Sequence, residues 1–391
     1  MVGISFEKEI LVLNDSYHLN YEDKVNFGSY YTPLKYVRLA AEWMKKHGID
    51  SSYTVFDPSC GYGSFFRLKE VFPQNTYFGN DIDETACERA KTYFQFARIF
   101  NKNLFENYSR HDFRLCPEDK IIVVGNPPYN DTTSQIHQDI KAKSAMKMND
   151  EIRSNDLGIA SLLCYNKMKA DYVLVLHPLS YLIKRTNFSR GKNFFTNYKL
   201  IEHRIFCSQE FNLTSKAMGF PVLVGFYKRC EGHGLCYSEV RSLEFETVEG
   251  NRFVLNDREF IADFVNKYPS SQRFNPEILF YTLRDINALK RSRTFIKTRE
   301  QNAVDVDPKK LGFYCYIDCF KRFAEVPYYM GNFDIPLTIS DFKNYEKDFI
   351  SVAEYEHRDI FQNSQQPTEE SVRNVKNYIK NVLNFQRGAT L

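Results

Sequence analysis

The stretch "YTVFDPSCGYGSFFRL", residues 53–68, decides the fold prediction for the first half of the chain. It begins with an apolar run typical of a buried strand that ends at Asp57, and a predicted helix follows. Gly61 and Gly63 therefore lie in a tight strand-to-helix turn, where glycine permits positive φ and close approach of a ligand. A dinucleotide-binding turn would need a third glycine where Phe66 stands, and Asp57 would repel a pyrophosphate. The acidic strand end suits a cationic ligand better.

The same alternation of strands and helices continues through the first half of the chain. Thr32-Pro33 predicts the start of a helix that runs to about Met44, with the threonine as its cap. Strands are predicted at "TYFGND", "IIVVG" and "DYVLVLH", a helix at "ETACERAKTYFQFARIF", and a closing antiparallel pair at "LIEHRIF" and "FPVLVGFYK". The pattern predicts an α/β fold with a mostly parallel sheet. It stops near Arg229, and the sequence is irregular until a closing amphipathic helix, whose apolar stripe is Val372, Val375, Ile379 and Val382.

Length and composition indicate two domains with a sizeable core. The chain has 391 residues, of which 43% are hydrophobic and 26% charged. No segment approaches the roughly 20 consecutive apolar residues of a membrane-spanning helix, and the N-terminal sequence lacks an export signal. Nine cysteines, an odd number scattered along the chain, suit a reducing cytoplasm better than a disulfide framework. We therefore expect a cytoplasmic protein without a membrane partner.

Positive charge is concentrated in two segments, although the net charge is only +3. The first segment, residues 184–199, has no acidic residue and contains Lys184, Arg185, Arg190 and Lys192. The second segment, residues 284–299, has one acidic residue and contains Lys290, Arg291 and Arg293. Either segment alone would usually be a solvated face. Two such segments with interleaved Phe and Tyr favour contact with nucleic-acid phosphates.

Acidic residues that could bind a nucleoside follow the glycine turn. Asp81 ends the second predicted strand, about 20 residues later, where a carboxylate can accept both ribose hydroxyls. The alternative is a helix-capping acid, a role that Asp83 could fill. "RHDF" supplies Asp112, which could accept an adenine amine, and Phe113, which could pack on its ring.

The stretch "GNPPYN", residues 125–130, comes directly after the apolar run "IIVV". Prolines cannot donate to a sheet ladder, so Pro127 and Pro128 end the strand and stiffen the segment after it. Asn126 and Tyr129 are thereby held on a rigid arm. The alternative interpretation is a strand-ending turn without chemistry.

These motifs, in the order "GSYYTP", "FDPSCGYGSF", "GNDID", "HDF", "GNPPYN", resemble the gamma-class DNA adenine-N6 methyltransferases with an NPPY motif, of the type II restriction–modification kind. The resemblance covers roughly residues 25–228. It implies a Rossmann-like, seven-stranded domain whose sheet has one antiparallel strand near its edge. It also implies S-adenosylmethionine as cofactor, and this cationic sulfonium agrees with the acidic strand end.

The resemblance assigns the cofactor site by position. The residues implied to line the methionine end are Asp57, Gly61 and Gly63, and Pro58 and Asn126 are also assigned to the cofactor site. Tyr30 and Thr32 would close over the amino-acid moiety. Asp81 would bind the ribose. The adenine would be held by Ile82, Asp112 and Phe113.

The resemblance also gives the arm a chemical role. An exocyclic adenine amine is a poor nucleophile because its lone pair is conjugated into the ring. Two acceptors aimed at its N–H groups would turn that lone pair toward the sulfonium, and the Asn126 side-chain oxygen and the Pro127 carbonyl supply such a pair. The prolines hold this pair rigidly, and Tyr129 offers a ring on which a flipped-out base can stack. For the other face of the base, family position points to Phe211, with Phe206 and Phe220 as competitors.

Cysteine chemistry and a metal are not expected. The candidates Cys230, His233, Cys236, Cys315 and Cys319 lack the usual two-residue spacing of a zinc site. Cys60, inside the glycine turn, is expected to be a small packing residue. Cytosine-C5 methylation would need a nucleophilic cysteine after a proline, and no proline–cysteine pair occurs.

The sequence therefore predicts a site-specific, adenine-specific DNA methyltransferase that acts on double-stranded DNA. Residues 1–228 would form the catalytic domain, and residues 229–391 an α+β target-recognition domain. A separate cognate restriction endonuclease is the expected partner. Alternatives that use the same arm are RNA adenine-N6, protein glutamine-N5 and cytosine-N4 methylation. A DNA-binding module with an inactive methyltransferase fold is disfavoured, because Asn126, Tyr129, Asp57 and Asp81 are intact.

Overall fold

The computed structural model describes seven stretches of the chain: residues 32–129, 147–211, 219–255, 259–270, 278–283, 285–362 and 364–383. The chain divides into two compact units, Met1–Ala217 with Val222–Val240, and Met218–Pro221 with Arg241–Leu391. We call these the first and the second unit.

The first unit is built on a seven-stranded sheet. Its strands are β1 (Tyr53–Asp57), β2 (Thr76–Asp81), β3 (Arg98–Asn101), β4 (Lys120–Gly125), β5 (Tyr172–Pro178), β6 (Tyr198–Cys207) and β7 (Pro221–Arg229). The spatial order is β3-β2-β1-β4-β5-β7-β6. The first five of these strands are parallel, and β7 runs antiparallel to β5. This mixed sheet confirms the predicted Rossmann-like methyltransferase architecture.

The central strands form because their side chains are buried on both faces of the sheet. Val55 and Phe56 of β1 and residues 121–124 of β4 are fully buried. Strands covered on both faces are continuous apolar runs rather than alternating ones. Since β1, β2, β4 and β5 are parallel, the residues that follow them meet at one edge of the sheet, which we call the carboxyl edge.

Helices cover this sheet and connect its strands. They are α1 (Leu34–Lys46), α2 (Glu84–Tyr93), α3 (Leu157–Lys167), α4 (Ser180–Ile183), α5 (Arg185–Arg190), α6 (Lys192–Phe195) and α7 (Tyr237–Ser242). Short 3-10 helices lie at Ser64–Glu70, His111–Phe113, Asp150–Ile152 and Ser208–Glu210. The prediction that α2 continues to Phe100 was wrong. The helix ends at Tyr93, because Arg98 and the residues after it pair with β2 as β3 and satisfy their backbone groups there.

The first unit continues past residue 228, the predicted domain boundary, to Val240. Hydrogen bonds attach this extra segment to the sheet unit. The Leu235 amide donates to the Phe195 carbonyl at 2.7 Å, and the Tyr237 hydroxyl donates to the Ile183 carbonyl at 2.8 Å. Residues 230–240 are therefore structurally part of the first unit.

The second unit combines short strands with longer helices. Its strands are β8 (Phe245–Glu246), β9 (Arg252–Phe253), β10 (Glu259–Phe260), β11 (Leu279–Tyr281), β12 (Phe295–Ile296), β13 (Ala303–Asp305) and β14 (Pro336–Leu337). Its helices are α8 (Ile286–Leu289), α9 (Leu311–Phe323), α10 (Ile339–Glu356) and α11 (Glu369–Leu383), with 3-10 helices at Ile261–Asp263, Pro308–Lys310 and Tyr328–Met330.

The core of the second unit is aromatic. The Tyr316 ring of α9 contacts the rings of Phe349 in α10 and Tyr378 in α11, with centroids 5.1 and 5.6 Å apart. Helix α11 confirms the predicted closing amphipathic helix, since Val375 and Ile379 are buried along one face. In the described part of the chain, no helix is long and apolar enough to span a membrane.

Candidate active site

The glycine turn after β1 has the predicted backbone conformation. Gly61 and Gly63 have φ values of 49° and 86°, in the left-handed region that favours glycine. A Cβ on Gly63 would lie 2.5 Å from the Phe66 ring and 2.8 Å from the Phe94 ring. Phe66 stands where a dinucleotide-binding turn would have its third glycine, and its ring packs against Gly63. Cys60 is buried beside Gly79, as expected of a packing residue.

The Asp81 carboxylate fastens the glycine turn to the end of β2. It accepts the Gly61 amide at 2.7 Å on one oxygen and the Asp83 amide at 3.0 Å on the other. Burial raises the pKa of Asp81, although both amides oppose the shift. Asp83 accepts the Ala86 amide at 3.1 Å and caps α2, the role that was the alternative for Asp81. Asp81 therefore does not cap α2, and its contact with a ribose stays a prediction.

Asp57 lies at the centre of the carboxyl edge and is 2% exposed. It accepts the Ser59 amide at 3.1 Å. Burial raises the pKa of Asp57 well above its usual range, Asp81 adds to the rise, and the Ser59 amide opposes it. A buried carboxyl of this kind favours either a proton or a cationic ligand.

Two residues that the sequence did not single out shape the surroundings of Asp57. A Cβ on Gly125, the last residue of β4, would lie 3.2 Å from the Asp57 Oδ1 atom. Asn80 donates through Nδ2 to the carbonyls of Pro58 and Lys102, each at 3.1 Å, and so holds the predicted cofactor residue Pro58 in place. Both lie inside the quoted motifs "GNPPYN" and "GNDID", but their roles depend on contacts that form only in the folded chain.

The residues predicted for the adenine differ in exposure. Ile82 is 45% exposed, as an apolar platform for a ligand ring requires. Asp112 accepts the Ser109 amide and hydroxyl at 2.9 and 2.6 Å, both on Oδ2. The Phe113 ring is fully buried between the Phe56 and Phe100 rings, with centroids 4.8 and 5.6 Å away. In this position the Phe113 ring supports the strand ends, and its contact with an adenine stays a prediction.

The segment before β1 is only partly described. Tyr30 lies outside the described residues. Thr32 is buried. It does not cap α1 as predicted, because the helix begins at Leu34 with Pro33 in the N-cap position and no side-chain cap bond. Closure of this segment over the cofactor stays a prediction.

The arm Asn126–Tyr129 follows β4 directly, next to Gly125 and Asp57. Asn126, Pro127, Pro128 and Tyr129 have no regular secondary structure. The Tyr129 hydroxyl donates to the Asn126 side-chain oxygen at 2.6 Å. This bond fixes which side of the Asn126 amide is the acceptor. A carbonyl oxygen has two lone pairs, so the Tyr129 bond uses one of them.

Phe211 is 1% exposed in this structure. Its ring meets the Phe206 ring edge-on at 5.4 Å, and Phe206 stacks on Tyr36 at 4.0 Å. Tyr36 in turn donates to Glu210 at 2.6 Å. Phe211 is thus packed with its competitor Phe206, and its contact with a target base stays a prediction.

The two basic segments differ sharply in their partners. Helices α4 to α6, which carry the first segment, follow the carboxyl end of β5. There Arg185, Arg190 and Lys192 are exposed, and no acidic partner pairs with them within the described ranges, while Lys184 is half-buried at the junction of α4 and α5. This segment keeps its charge available at the protein surface.

Most of the basic side chains described in the second segment have partners elsewhere in the protein. Arg293 makes two bonds to the Glu300 carboxylate, at 2.7 and 2.5 Å. Lys290 donates to the carbonyls of Lys321 and Ala324, at 3.1 and 2.5 Å, and so caps the end of α9. Arg291 is exposed. Two of the three predicted DNA contacts in this segment therefore have structural partners.

The cysteines have no metal partners in the described part of the chain. No group of three or more His, Cys, Asp and Glu residues there could hold a metal ion. All nine cysteines are free thiols.

The carboxyl edge fits S-adenosylmethionine on its own chemistry. Two carboxyls, the buried Asp57 and the half-buried Asp81, offer charge to a cation and acceptors to ribose hydroxyls. Two positive-φ glycines open the turn beside them. The buried Tyr165 hydroxyl has no hydrogen-bond partner of normal geometry in the described structure. It borders Gly125, as the Asp57 carboxyl does. These features match a cationic nucleoside better than an anionic one.

Solved structures with a similar chain path include three methyltransferase-related proteins. A protein assigned as the modification subunit of a type I restriction enzyme from Vibrio vulnificus has 14% identity and a TM-score of 0.41, and the match covers 65% of this chain and 56% of that one. A protein assigned as an RNA methyltransferase from Pyrococcus horikoshii has 12% identity and a TM-score of 0.37, with coverage of 57% and 99%. Magnesium protoporphyrin IX methyltransferase from Synechocystis, solved with bound S-adenosylmethionine, has 13% identity and a TM-score of 0.32, with coverage of 58% and 100%. Likeness at this level identifies neither substrate nor partner.

The family comparison is more specific. Residues 17–188 match the model of the family described as N-6 DNA Methylase. The matched stretch contains the glycine turn, the Asp57 and Asp81 carboxyls and the arm. Residues 17–188 are therefore similar to the N-6 DNA methylases, and the cofactor is S-adenosylmethionine.

Proposed function

We propose that this protein transfers a methyl group from S-adenosylmethionine to the N6 amine of a flipped-out adenine in double-stranded DNA. The observation that carries the proposal is the position of the arm. Asn126 follows Gly125, and Gly125 borders the buried Asp57 carboxyl. An amine gripped by the arm would thus lie beside a cofactor held at the carboxyl edge. The family match over residues 17–188 supports the same reaction.

The arm supplies geometry rather than a base. The Asn126 oxygen and the Pro127 carbonyl would each accept one N–H of the adenine amine, which directs its lone pair toward the methyl group. The Tyr129 hydroxyl already orients the Asn126 oxygen. The cofactor supplies the electrophilic methyl when bound. The amine becomes cationic on transfer and loses its proton afterwards, so no side chain needs to act as a strong base.

The cofactor residues would divide the ligand between them. Asp57 and the turn of Pro58, Gly61 and Gly63 would hold the methionine end, with Tyr30 and Thr32 above it. Asp81 would accept the ribose hydroxyls. The exposed Ile82 would pack on the adenine, and Asp112 would accept its amine through Oδ1, since both Ser109 bonds go to Oδ2.

DNA would be held mainly by the first basic segment. Arg185, Arg190 and Lys192 are exposed and unpaired among the described residues, and they follow the strand beside the arm. Phosphate contacts of this kind position a duplex without reading its sequence. The base must leave the stack, at a cost of a few kcal/mol, before it can stack on Tyr129. We assign Phe211 to the opposite face of the base.

The second unit, Arg241–Leu391 with residues 218–221, is the proposed target-recognition domain. A separate restriction endonuclease of the same specificity is the proposed partner. The arm would serve RNA adenine-N6 or protein glutamine-N5 methylation equally well, because each presents a planar amino group. The exposed cations of the first basic segment favour a nucleic acid over a protein substrate, and the experiment below separates DNA from RNA.

The test is transfer of labelled methyl from S-adenosylmethionine to unmethylated genomic DNA, with product nucleosides resolved by mass. We expect N6-methyl-2′-deoxyadenosine from the DNA with the wild-type chain and none with Asn126→Ala. Asn374→Ala is the matched control, because Asn374 bonds Asp348 at 2.9 Å in the second unit and does not belong to the arm. Label on RNA or on a protein instead would support methyl transfer to an amino group held by the arm, and would show that DNA is not the substrate. Cofactor binding without transfer to any substrate would favour the inactive-fold alternative.

A further inference from the structure

Tyr165, near the end of α3, carries a buried hydroxyl that the reaction described above does not use. The residue is fully buried. Its hydroxyl lies close to the hydroxyls of Ser59 and Ser161, but no hydrogen bond of normal geometry forms to either. Ser161 already donates to the Leu157 carbonyl at 2.9 Å. A buried hydroxyl without a partner is unfavourable, and native proteins retain few of them.

The position of this hydroxyl indicates its partner. A Cβ on Gly125 would lie 3.2 Å from Asp57 Oδ1 and 3.9 Å from the Tyr165 hydroxyl oxygen. Both polar groups therefore border the space that a side chain at position 125 would occupy. This space lies between the end of β1 and the start of the arm.

The charges around Asp57 make a hydrogen-bond donor valuable there. The titratable groups that face it from the neighbouring elements are Asp81 at the end of β2, Cys60 in the glycine turn and Tyr165 from α3. None of the three is a cation. The only hydrogen bond that Asp57 receives from the described residues is the Ser59 amide.

We propose that Tyr165 is a positioning residue, whose hydroxyl donates to the ionised Asp57 carboxylate when the cationic methionine end of S-adenosylmethionine is bound. The inference rests on the proposed function only in its cofactor. Burial of Asp57 favours its protonated form, as the direction of its pKa shift indicates. The arriving cation ionises Asp57 and so creates the acceptor.

The effect of removing this hydroxyl depends on pH. A hydrogen bond to the charged form lowers the pKa of a carboxyl, so its loss raises the pKa of Asp57 further. Cofactor binding then requires deprotonation of Asp57 at a pH further below its pKa, which costs more free energy. The penalty is largest at low pH and vanishes once Asp57 is ionised in both proteins. A charge-assisted bond corresponds to a shift of about one pH unit, or about a tenfold change in Kd below both pKa values.

The experiment measures the Kd of S-adenosylmethionine by calorimetry from pH 6 to pH 9 for the wild type, Tyr165→Phe and Tyr77→Phe. Tyr77 is the matched control, because it is a fully buried tyrosine at the start of β2 whose hydroxyl donates to the Phe72 carbonyl at 3.0 Å. For Tyr165→Phe we expect a Kd about tenfold above wild type at the acid end, converging with wild type as the pH rises. For Tyr77→Phe we expect a lower melting temperature and an unchanged ratio of Kd values at every pH.

Thermal unfolding without cofactor separates positioning from folding. Tyr165→Phe should melt at or above the wild-type temperature, since it removes a polar atom that lacks a partner. A lower melting temperature, a Kd equal to wild type at all pH values, or a Kd raised by the same factor at all pH values would each overturn the inference. Failure of the wild type to bind S-adenosylmethionine would overturn both it and the proposed function. Binding without methyl transfer would overturn only the proposed function.

Discussion

At the scale of the residue, the bond between Tyr129 and Asn126 links two parts of the proposed chemistry. Tyr129 offers a ring for the base and a hydroxyl that orients the Asn126 oxygen at 2.6 Å. Tyr129→Phe keeps the ring and removes the orientation. We expect it to lower kcat by about 2- to 10-fold, the size of one neutral hydrogen bond, with the KM for DNA unchanged. Steady-state kinetics on a duplex with a single target adenine measures both constants.

Two other substitutions give this prediction its reference points. Asn126→Ala removes the acceptor itself and should lower kcat by about 100-fold or more. Tyr129→Ala removes the stacking surface as well and should weaken DNA binding by about 1–3 kcal/mol. If Tyr129→Phe proved as damaging as Asn126→Ala, the tyrosine hydroxyl would have a direct part in the reaction.

At the scale of the element, the glycine turn depends on two separate constraints. Gly63 needs positive φ, and its missing side chain leaves room for the Phe66 and Phe94 rings. Gly48, after α1, also has positive φ, at 72°, but a Cβ there would meet nothing within 4 Å. Gly48→Ala therefore isolates the backbone cost, about 1 kcal/mol, whereas Gly63→Ala should cost about 2–4 kcal/mol. Urea unfolding of both variants measures the difference, and equal losses would show that the rings move aside.

The elements also show what the sequence could predict. Strands β1 and β2 begin and end at the predicted residues, because each is a buried apolar run bounded by an acid and a turn. The four-residue strand β3 was missed, since "RIF" continues a helical pattern and only its pairing with β2 makes it a strand. Gly125 and Tyr165 were missed because their roles come from the Asp57 carboxyl, which reaches them only in the folded chain.

At the scale of the whole molecule, charge in the sequence and charge on the surface differ. Both basic segments looked equivalent along the chain, yet Glu300 neutralises Arg293 while Arg190 stays exposed and unpaired among the described residues. Lys290 was predicted as a phosphate contact. In the folded protein its ammonium group instead donates hydrogen bonds to carbonyls at the end of α9. Sequence composition alone could not distinguish these cases.

This difference predicts how each segment contributes to DNA binding. Arg190→Ala should weaken binding to all sequences and reduce the slope of log K against log salt by about 0.9. Arg293→Ala should leave the slope unchanged, because the Glu300 pair already cancels its charge. Fluorescence anisotropy with a labelled duplex at several salt concentrations measures both slopes. The opposite result would assign the phosphate contacts to the second unit and require the Arg293 pair to open on binding.

The single hydrogen atom that serves as the side chain of Gly125 has one more consequence. The Asp57 carboxyl borders Gly125, the last residue of β4, and the arm begins at the next residue. Any change that one ligand causes in the conformation of this strand end therefore alters the binding site of the other ligand. Thermodynamic linkage then makes the coupling reciprocal: the factor by which the methyl donor changes the affinity for the base equals the factor by which the base changes the affinity for the donor.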